Sequence, residues 1–223
     1  QNLQKRTPKE AFLSKDDYAT LCRKHKVDQQ AVLNSNWLLK ILDQLGVIVH
    51  FPDMADEMDD YILNPRWLTY GVYTIMYHHQ PSITRKQAVA LLCAKPVEDQ
   101  EGNVLTYPAS KCRIVFDAME KFKLCYFLPQ DREQIIIPAL LPSDIKPHRF
   151  DTASALEFHY QFESFLPRHV ISELIVECNE DIAEQDGEDI VWQYGVLLHN
   201  RVHNTDALVQ AAVKGEEVQY RVG

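Results

Sequence analysis

The chain has 223 residues and a net charge of −9, with 46% hydrophobic and 25% charged residues, which fits a globular fold with room for a buried core. That charge disfavours duplex DNA and anionic membrane surfaces, because phosphate binding needs clustered Lys and Arg. No apolar run approaches the roughly 20 residues of a membrane span, and the polar opening QNLQKRTPKE is no signal peptide. Residues 1–12 read as a linker or frayed end. Ser14 then precedes a predicted helix over 15–25, with Asp16 and Asp17 in its first turn and Arg23, Lys24 and His25 in its last, which complements the helix dipole. A short helix is expected at 29–33. SNWLLKILDQLG predicts a third, with Trp37, Leu38, Ile41, Leu42 and Leu45 inward and Gly46 as its stop. VIVHFP and YIL read as two strands around the acidic turn DMADEMDD.

YILNPRWLTYGVYTIMY then turns helical, with Asn64 suited to the N-cap and Pro65 to the first helical position. Leu68, Val72, Ile75 and Met76 make an apolar stripe, while Arg66, Tyr70, Tyr73 and Tyr77 make a second stripe nearly opposite. A surface helix usually has one apolar face, so this one is expected to be covered on both sides. The pattern recurs downstream. A helix is predicted over 82–93 with Ser82 or Thr84 near its cap, then a loop from Lys95 to Pro108. The helix SKCRIVFDAMEKF follows, carrying Cys112, Val115, Phe116, Met119 and Phe122 on one face. LCYFLP and IIIP flank the polar turn QDREQ. LDQLGVIVHFP…YILNP and MEKFKLCYFLP…IIIP thus read as two copies of one helix–helix–hairpin unit, with the outline of a winged helix. The first wing carries Asp53, Asp56, Glu57, Asp59 and Asp60 with no Lys or Arg between, which would repel phosphate. The architecture is therefore read as winged-helix-like and used for protein contacts.

Composition changes after LPSDIKPHRFD. ALEFHYQFE alternates, with Leu156, Phe158, Tyr160 and Phe162 on one side, as in a half-buried strand. LPRHVISELIVECNEDI predicts a helix with Val170, Ile171, Leu174, Ile175 and Cys178 inward. IVWQYGVLLH, ALVQAAV and EVQYRV predict three strands, the last two joined near Lys214-Gly215. The expected fold class is α+β. Residues 13–145 form a mostly helical half, and residues 150–223 hold an antiparallel sheet with a packed helix. The open edge predicts that the natural chain continues past Gly223.

Catalytic and ligand chemistry has no sequence support. Phosphate loops, G-x-G-x-x-G, G-x-S-x-G and H-E-x-x-H are absent, so no catalytic residue, cofactor or metal is assigned. His78 and His79 point about 100° apart on a helix and cannot share a metal on one face. His199 and His203 fall in the loop HNRVHN, where a zinc or nickel site has little support. The five cysteines, Cys22, Cys93, Cys112, Cys125 and Cys178, have no C-x-x-C spacing and are read as reduced, core-packed thiols. Trp37 is assigned to the core. Trp67 fits the core or a subdomain contact, and Trp192, with Tyr194, fits the core or an interface anchor.

LGVIVHF…DDYILNPRWLTYGVY, with its Pro65-Arg66-Trp67-Leu68 run, resembles the COR domain of Roco-family proteins, in which a long hairpin leads into a Pro-x-Trp-Leu helix. MEKFKLCYFLP…IIIPALLP resembles that family's second hairpin, and FLPRHVISELIV…VWQYGVLL its C-terminal half. The resemblance spans residue 13 to the end. It implies a non-enzymatic scaffold beside a Ras-like GTPase domain called Roc, dimerising through its C-terminal half; the scattered cysteines add a cytoplasmic location, and the acidic charge adds no nucleic-acid or direct membrane binding. It places the helix of Phe116 near Roc and gives Tyr70, Tyr73 and Tyr77 either the second helical unit or Roc as partner. A winged-helix DNA-binding regulator is the alternative, and the −9 charge speaks against it.

Overall fold

The computed structural model describes residues 12–25, 41, 43–45, 49, 60–62, 65–98, 102, 104–153, 155–161, 167, 169–214 and 217–222. The expected helix at 29–33, the strand and wing at 50–59, Trp37, Leu42, Asn64 and Phe162 lie outside them. Contacts divide the chain into one unit of Gln1–Thr74 and Leu92–Cys112 and another of Ile75–Leu91 and Arg113–Gly223. The fold is α+β, with a mostly helical N-terminal half and an antiparallel sheet in the C-terminal half. Each sheet lies wholly on one side of residues 145–150, yet contacts do not break there. Tyr126 from the second hairpin shares a core with Ile171, Ile175, Val176, Val191 and Val196.

Strand β1 (Phe12–Ser14) runs directly into α1 (Lys15–Lys24). Ser14 caps that helix, its side chain accepting from the Asp17 N–H at 3.1 Å. β2 (Asp60–Ile62) pairs antiparallel with β1, Phe12 opposite Ile62. Residue 12 therefore belongs to a sheet and not to a frayed end. Helix α2 spans Pro65–Met76. Its Trp67 is fully buried, with the Phe12 ring edge-on at 4.8 Å and the Tyr107 ring at 4.9 Å. The indole Nε1 donates to the Thr106 carbonyl at 2.9 Å, and the Tyr107 hydroxyl donates to the Trp67 carbonyl at 2.8 Å. Trp67 is thus core, its one polar group satisfied as a buried indole requires.

The predicted helix over 82–93 resolves into β3 (Ser82–Thr84) and α3 (Arg85–Ala94). The boundary is a capping box. Thr84 Oγ1 accepts from the Gln87 N–H at 3.2 Å, and Gln87 Oε1 accepts from the Thr84 N–H at 2.9 Å. Thr84→Ala is expected to remove about 1 kcal/mol, read as a lower urea midpoint with an unchanged slope. The loop expected at 95–108 contains a small hairpin, β4 (Val97–Glu98) with β5 (Val104–Leu105), and Gly102 at φ +78 between them. Helix α4 (Cys112–Lys121) ends with Lys123 in the left-handed region at φ +58. There the Leu124 N–H returns to the Met119 carbonyl and the Lys123 N–H to that of Glu120, a Schellman close. β6 (Tyr126–Phe127) and β7 (Gln134–Ile136) form the second hairpin, and β3 joins it in the order β3-β7-β6.

The C-terminal sheet runs β11-β12-β13-β14-β8, every pair antiparallel. Its strands are β8 (Phe158–Gln161), β11 (Val191–Trp192), β12 (Gly195–Asn200), β13 (Thr205–Lys214) and β14 (Glu217–Val222). Helix α5 (His169–Glu177) buries Ile171, Ile175 and Val176 against Val196, while Val170, expected inward, is exposed. Leu197, one residue on and so on the opposite face, packs with Ala183, Ile190, Trp192 and Leu208. A further hairpin, β9 (Glu184–Gln185) with β10 (Glu188–Asp189), turns through Asp186 and Gly187, both at positive φ. IVWQYGVLLH, expected as one strand, breaks at Gln193-Tyr194 into β11 and β12, with Trp192 opposite Gly195. The turn folds the indole over Gly195, where a Cβ would lie 2.2 Å from the Trp192 ring.

Candidate interaction surfaces

Helix α2 shows how one face becomes core. Trp67, Leu68 and Ile75 are buried, while Val72 and Met76, expected inward, are only half-buried. Of the opposite stripe, Tyr70 is half-buried and Tyr73 and Tyr77 are 52% and 69% exposed. The tyrosine face therefore offers two aromatic rings to solvent, with the Tyr77 ring edge-on to His79 at 6.1 Å.

Helix α4 behaves differently. Phe116 is buried together with Ile114, Val115, Ala118 and Met119. Phe122, read as part of the inward stripe, lies past the end of the helix and is 52% exposed. Phe116→Ala is consequently a core truncation, and Phe122 is the aromatic that this segment presents outward. Trp192 and Tyr194 separate as well. Trp192 is fully buried and stacks on the His148 ring at 5.7 Å, whereas Tyr194 is half-buried at the margin of the same cluster.

Strand β8 carries apolar surface that the alternating pattern assigned to the core. Leu156, Phe158 and Tyr160 are exposed, and so are Glu157 and His159 on the other side. The cause is position. β8 is the edge of the five-stranded sheet, while α5 covers the core around Val196 on β12, three strands away. Successive register partners, Phe158–Val222–Val209–Val196, put Phe158 on the same face as the fully buried Val196. One sheet face is thus buried at one end and presents aromatic rings at the other.

A cleft of about 550 Å³ opens beside the β6–β7 hairpin, lined by Tyr126, Leu128, Asn179, Glu184, Asp189, His199, Arg201 and Asp206 among others. Burial raises the Asp189 carboxyl and Glu184 adds to that, while Lys146 pulls it back. His199 Nδ1 sits 2.7 Å from Asp206 Oδ1. Among the described residues no group of three His, Cys, Asp or Glu is placed to hold a metal. Among the same residues no helix is long and apolar enough to cross a membrane. Of the cysteines, Cys22, Cys112 and Cys125 are buried and Cys178 half-buried, as core packing predicts, but Cys93 is exposed.

The chain belongs to the COR (C-terminal of Roc) family: its COR-A domain matches residues 1–141 and its COR-B domain residues 153–223. Among curated relatives, the Roc-COR-CHAT protease of Runella zeae is 22% identical over 214 residues, 95% of this chain and 21% of the relative. A second Roc-COR-CHAT protease, from an unknown prokaryotic organism, is 21% identical over 179 residues, 77% of this chain and 15% of that relative. The chain therefore spans about a fifth of the first relative and about a seventh of the second, whose names join COR to Roc.

Proposed function

We propose that this chain is a non-catalytic dimerisation and regulatory scaffold that couples an adjacent Ras-like Roc GTPase domain to homodimerisation. The observation that carries the reading is the sheet face that is buried under α5 at Val196 and ends in the exposed Phe158 and Tyr160. A two-fold pairing of β8 edges would bury those rings and continue the same apolar layer into a second copy. The strand–helix–helix–hairpin order, interrupted between the helices by the small β4–β5 hairpin, and the sheet order β3-β7-β6 support a winged-helix-like unit for residues 82–136. Its second helix is a poor phosphate reader, because Arg113 is engaged by Asp117 at 3.2 Å and Glu120 adds a second carboxylate to the helix. The unit is read as a protein-contact module with Phe122 as its outward aromatic, and Tyr73 and Tyr77 of the α2 segment are read as further outward aromatics, with Roc as the partner. The proteolytic activity in the relatives' names is assigned to no residue of this chain.

The dimer is tested with Phe158→Asp combined with Tyr160→Asp in the full-length protein. Both side chains are exposed, so the fold is expected to survive. Sedimentation equilibrium is expected to show a dimer for the unchanged protein and at least a tenfold weaker association for the variant. An unchanged dimer constant would remove β8 from the interface.

A further inference from the structure

We propose that Cys93 and Cys112 are a built pair that hydroperoxides oxidise to a reversible intrachain disulfide. The two sulfurs lie 3.9 Å apart although 19 residues separate them in sequence, one at the end of α3 and the other at the start of α4. Rotation about the side-chain bonds has to bring them together by about 2 Å to reach an S–S bond. Both point at one carbonyl: Cys93 Sγ is 3.1 Å and Cys112 Sγ 3.9 Å from the Tyr107 oxygen. Cys112 also reaches the Pro108 carbonyl at 3.4 Å.

Exposure divides the roles. Cys93 is exposed and Cys112 fully buried, so an oxidant in solution meets Cys93 first. Burial, and then the hydrogen bond with Cys93, push the Cys112 thiol up to about 12, which keeps it protonated and slow towards peroxide. In the first step the Cys93 thiolate attacks the O–O bond of hydrogen peroxide. It takes one oxygen as a sulfenic acid, and the other leaves, protonated, as water. In the second step the Cys112 sulfur attacks the Cys93 sulfur. The S–S bond forms, the S–O bond breaks, and the Cys112 proton leaves with the hydroxide as a second water. Two thiols lose two electrons and one peroxide becomes two waters; a dithiol reverses the change.

The bridge would close residues 94–111 into a loop. That loop carries Thr106 and Tyr107, which hold Trp67. Oxidation would therefore fasten the support beneath α2, and its effect would be read at the helix that carries the tyrosine face.

The test is peptide mapping of the reduced full-length protein after brief treatment with hydrogen peroxide. Remaining thiols are blocked with N-ethylmaleimide and digestion is done without reductant. The expected main product is a Cys93–Cys112 linked peptide within one chain, lost on dithiothreitol treatment. Cys93→Ser, at an exposed position, should fold normally, give no link, and leave Cys112 blocked by maleimide after denaturation. Accumulation of Cys93 sulfinic acid with Cys112 still a free thiol would overturn the proposal. So would a Cys93 link between two chains, or a link from Cys93 to Cys22, Cys125 or Cys178.

Discussion

Trp67→Ala is expected to cost about 3–5 kcal/mol of stability, the range for deleting a large aromatic from a core. The indole has no exposed surface and fills the space between the rings of Phe12 and Tyr107. Its removal takes both ring contacts and the hydrogen bond to the Thr106 carbonyl. The packing loss dominates. Thr106 is itself exposed, so its carbonyl can return to water, and only part of the usual cost of an unpaired acceptor applies. Trp67→Phe separates the two contributions. It keeps most of the apolar body and loses the N–H, and is expected to cost less than half as much. Urea unfolding followed by circular dichroism measures both. A Trp67→Ala cost below about 1 kcal/mol would mean that α2 is not anchored by this side chain, since changes of that size are typical of surface positions.

Gly195→Ala is the second large effect. The added methyl would stand 2.2, 2.6 and 2.8 Å from three atoms of the Trp192 ring. That ring is buried and stacked on His148, so it cannot swing away as an exposed side chain would. Either the indole is expelled from its cluster or the two-residue turn opens, and either change loosens β11 from β12. A loss of roughly 3 kcal/mol or more is expected, at or beyond the upper end of ordinary overpacking. The cause can be isolated by a double-mutant cycle. Trp192→Leu makes room at the cost of a smaller core side chain, so Gly195→Ala should cost much less on that background. Additive costs would show that the methyl meets something other than the indole.

Much of this fold was legible in the sequence, and the misses have definite causes. Helices α1, α4 and α5 and the hairpin around QDREQ followed from apolar periodicity and turn residues. Ser14 is legible as a helix start and Thr84 as one of two cap candidates beside Ser82, because a hydroxyl before an apolar-periodic run has a physical role there. The three-residue strands that end on each cap, Phe12–Ser14 and Ser82–Thr84, were missed. Two- and three-residue strands such as β1 and β3 are made by long-range pairing, with Ile62 and Ile136 as partners, and leave almost no local pattern. The β9–β10 hairpin did have a signal, the Asp186-Gly187 pair whose positive φ values suit a tight hairpin turn. β8 alternates as a half-buried strand does, but alternation cannot reveal that the strand stands at a sheet edge beyond the covering helix. Of the interaction candidates, Tyr73 and Tyr77 stand exposed, while Phe116 and Trp192 are interior. Periodicity orders residues around a helix or strand without saying which side meets solvent. The pairing of Cys93 with Cys112 had no signal at all, since it arises from the return of the chain through residues 97–111.

In the proposed scaffold, nucleotide state in Roc and self-association of this chain bias one another. Reciprocity then fixes what must be seen: if association depends on the bound nucleotide, association must shift the preference for GTP over GDP, by the same factor taken over the two sites of the dimer. The direct measurement is the dimer dissociation constant of the full-length protein by sedimentation equilibrium, in saturating GDP and in a non-hydrolysable GTP analogue. The constants are expected to differ by at least fivefold between the two nucleotides, and the difference to vanish over the same concentration range when Phe158 and Tyr160 are both aspartate. Equal dimer constants in the two nucleotide states, with the dimer intact, would contradict it.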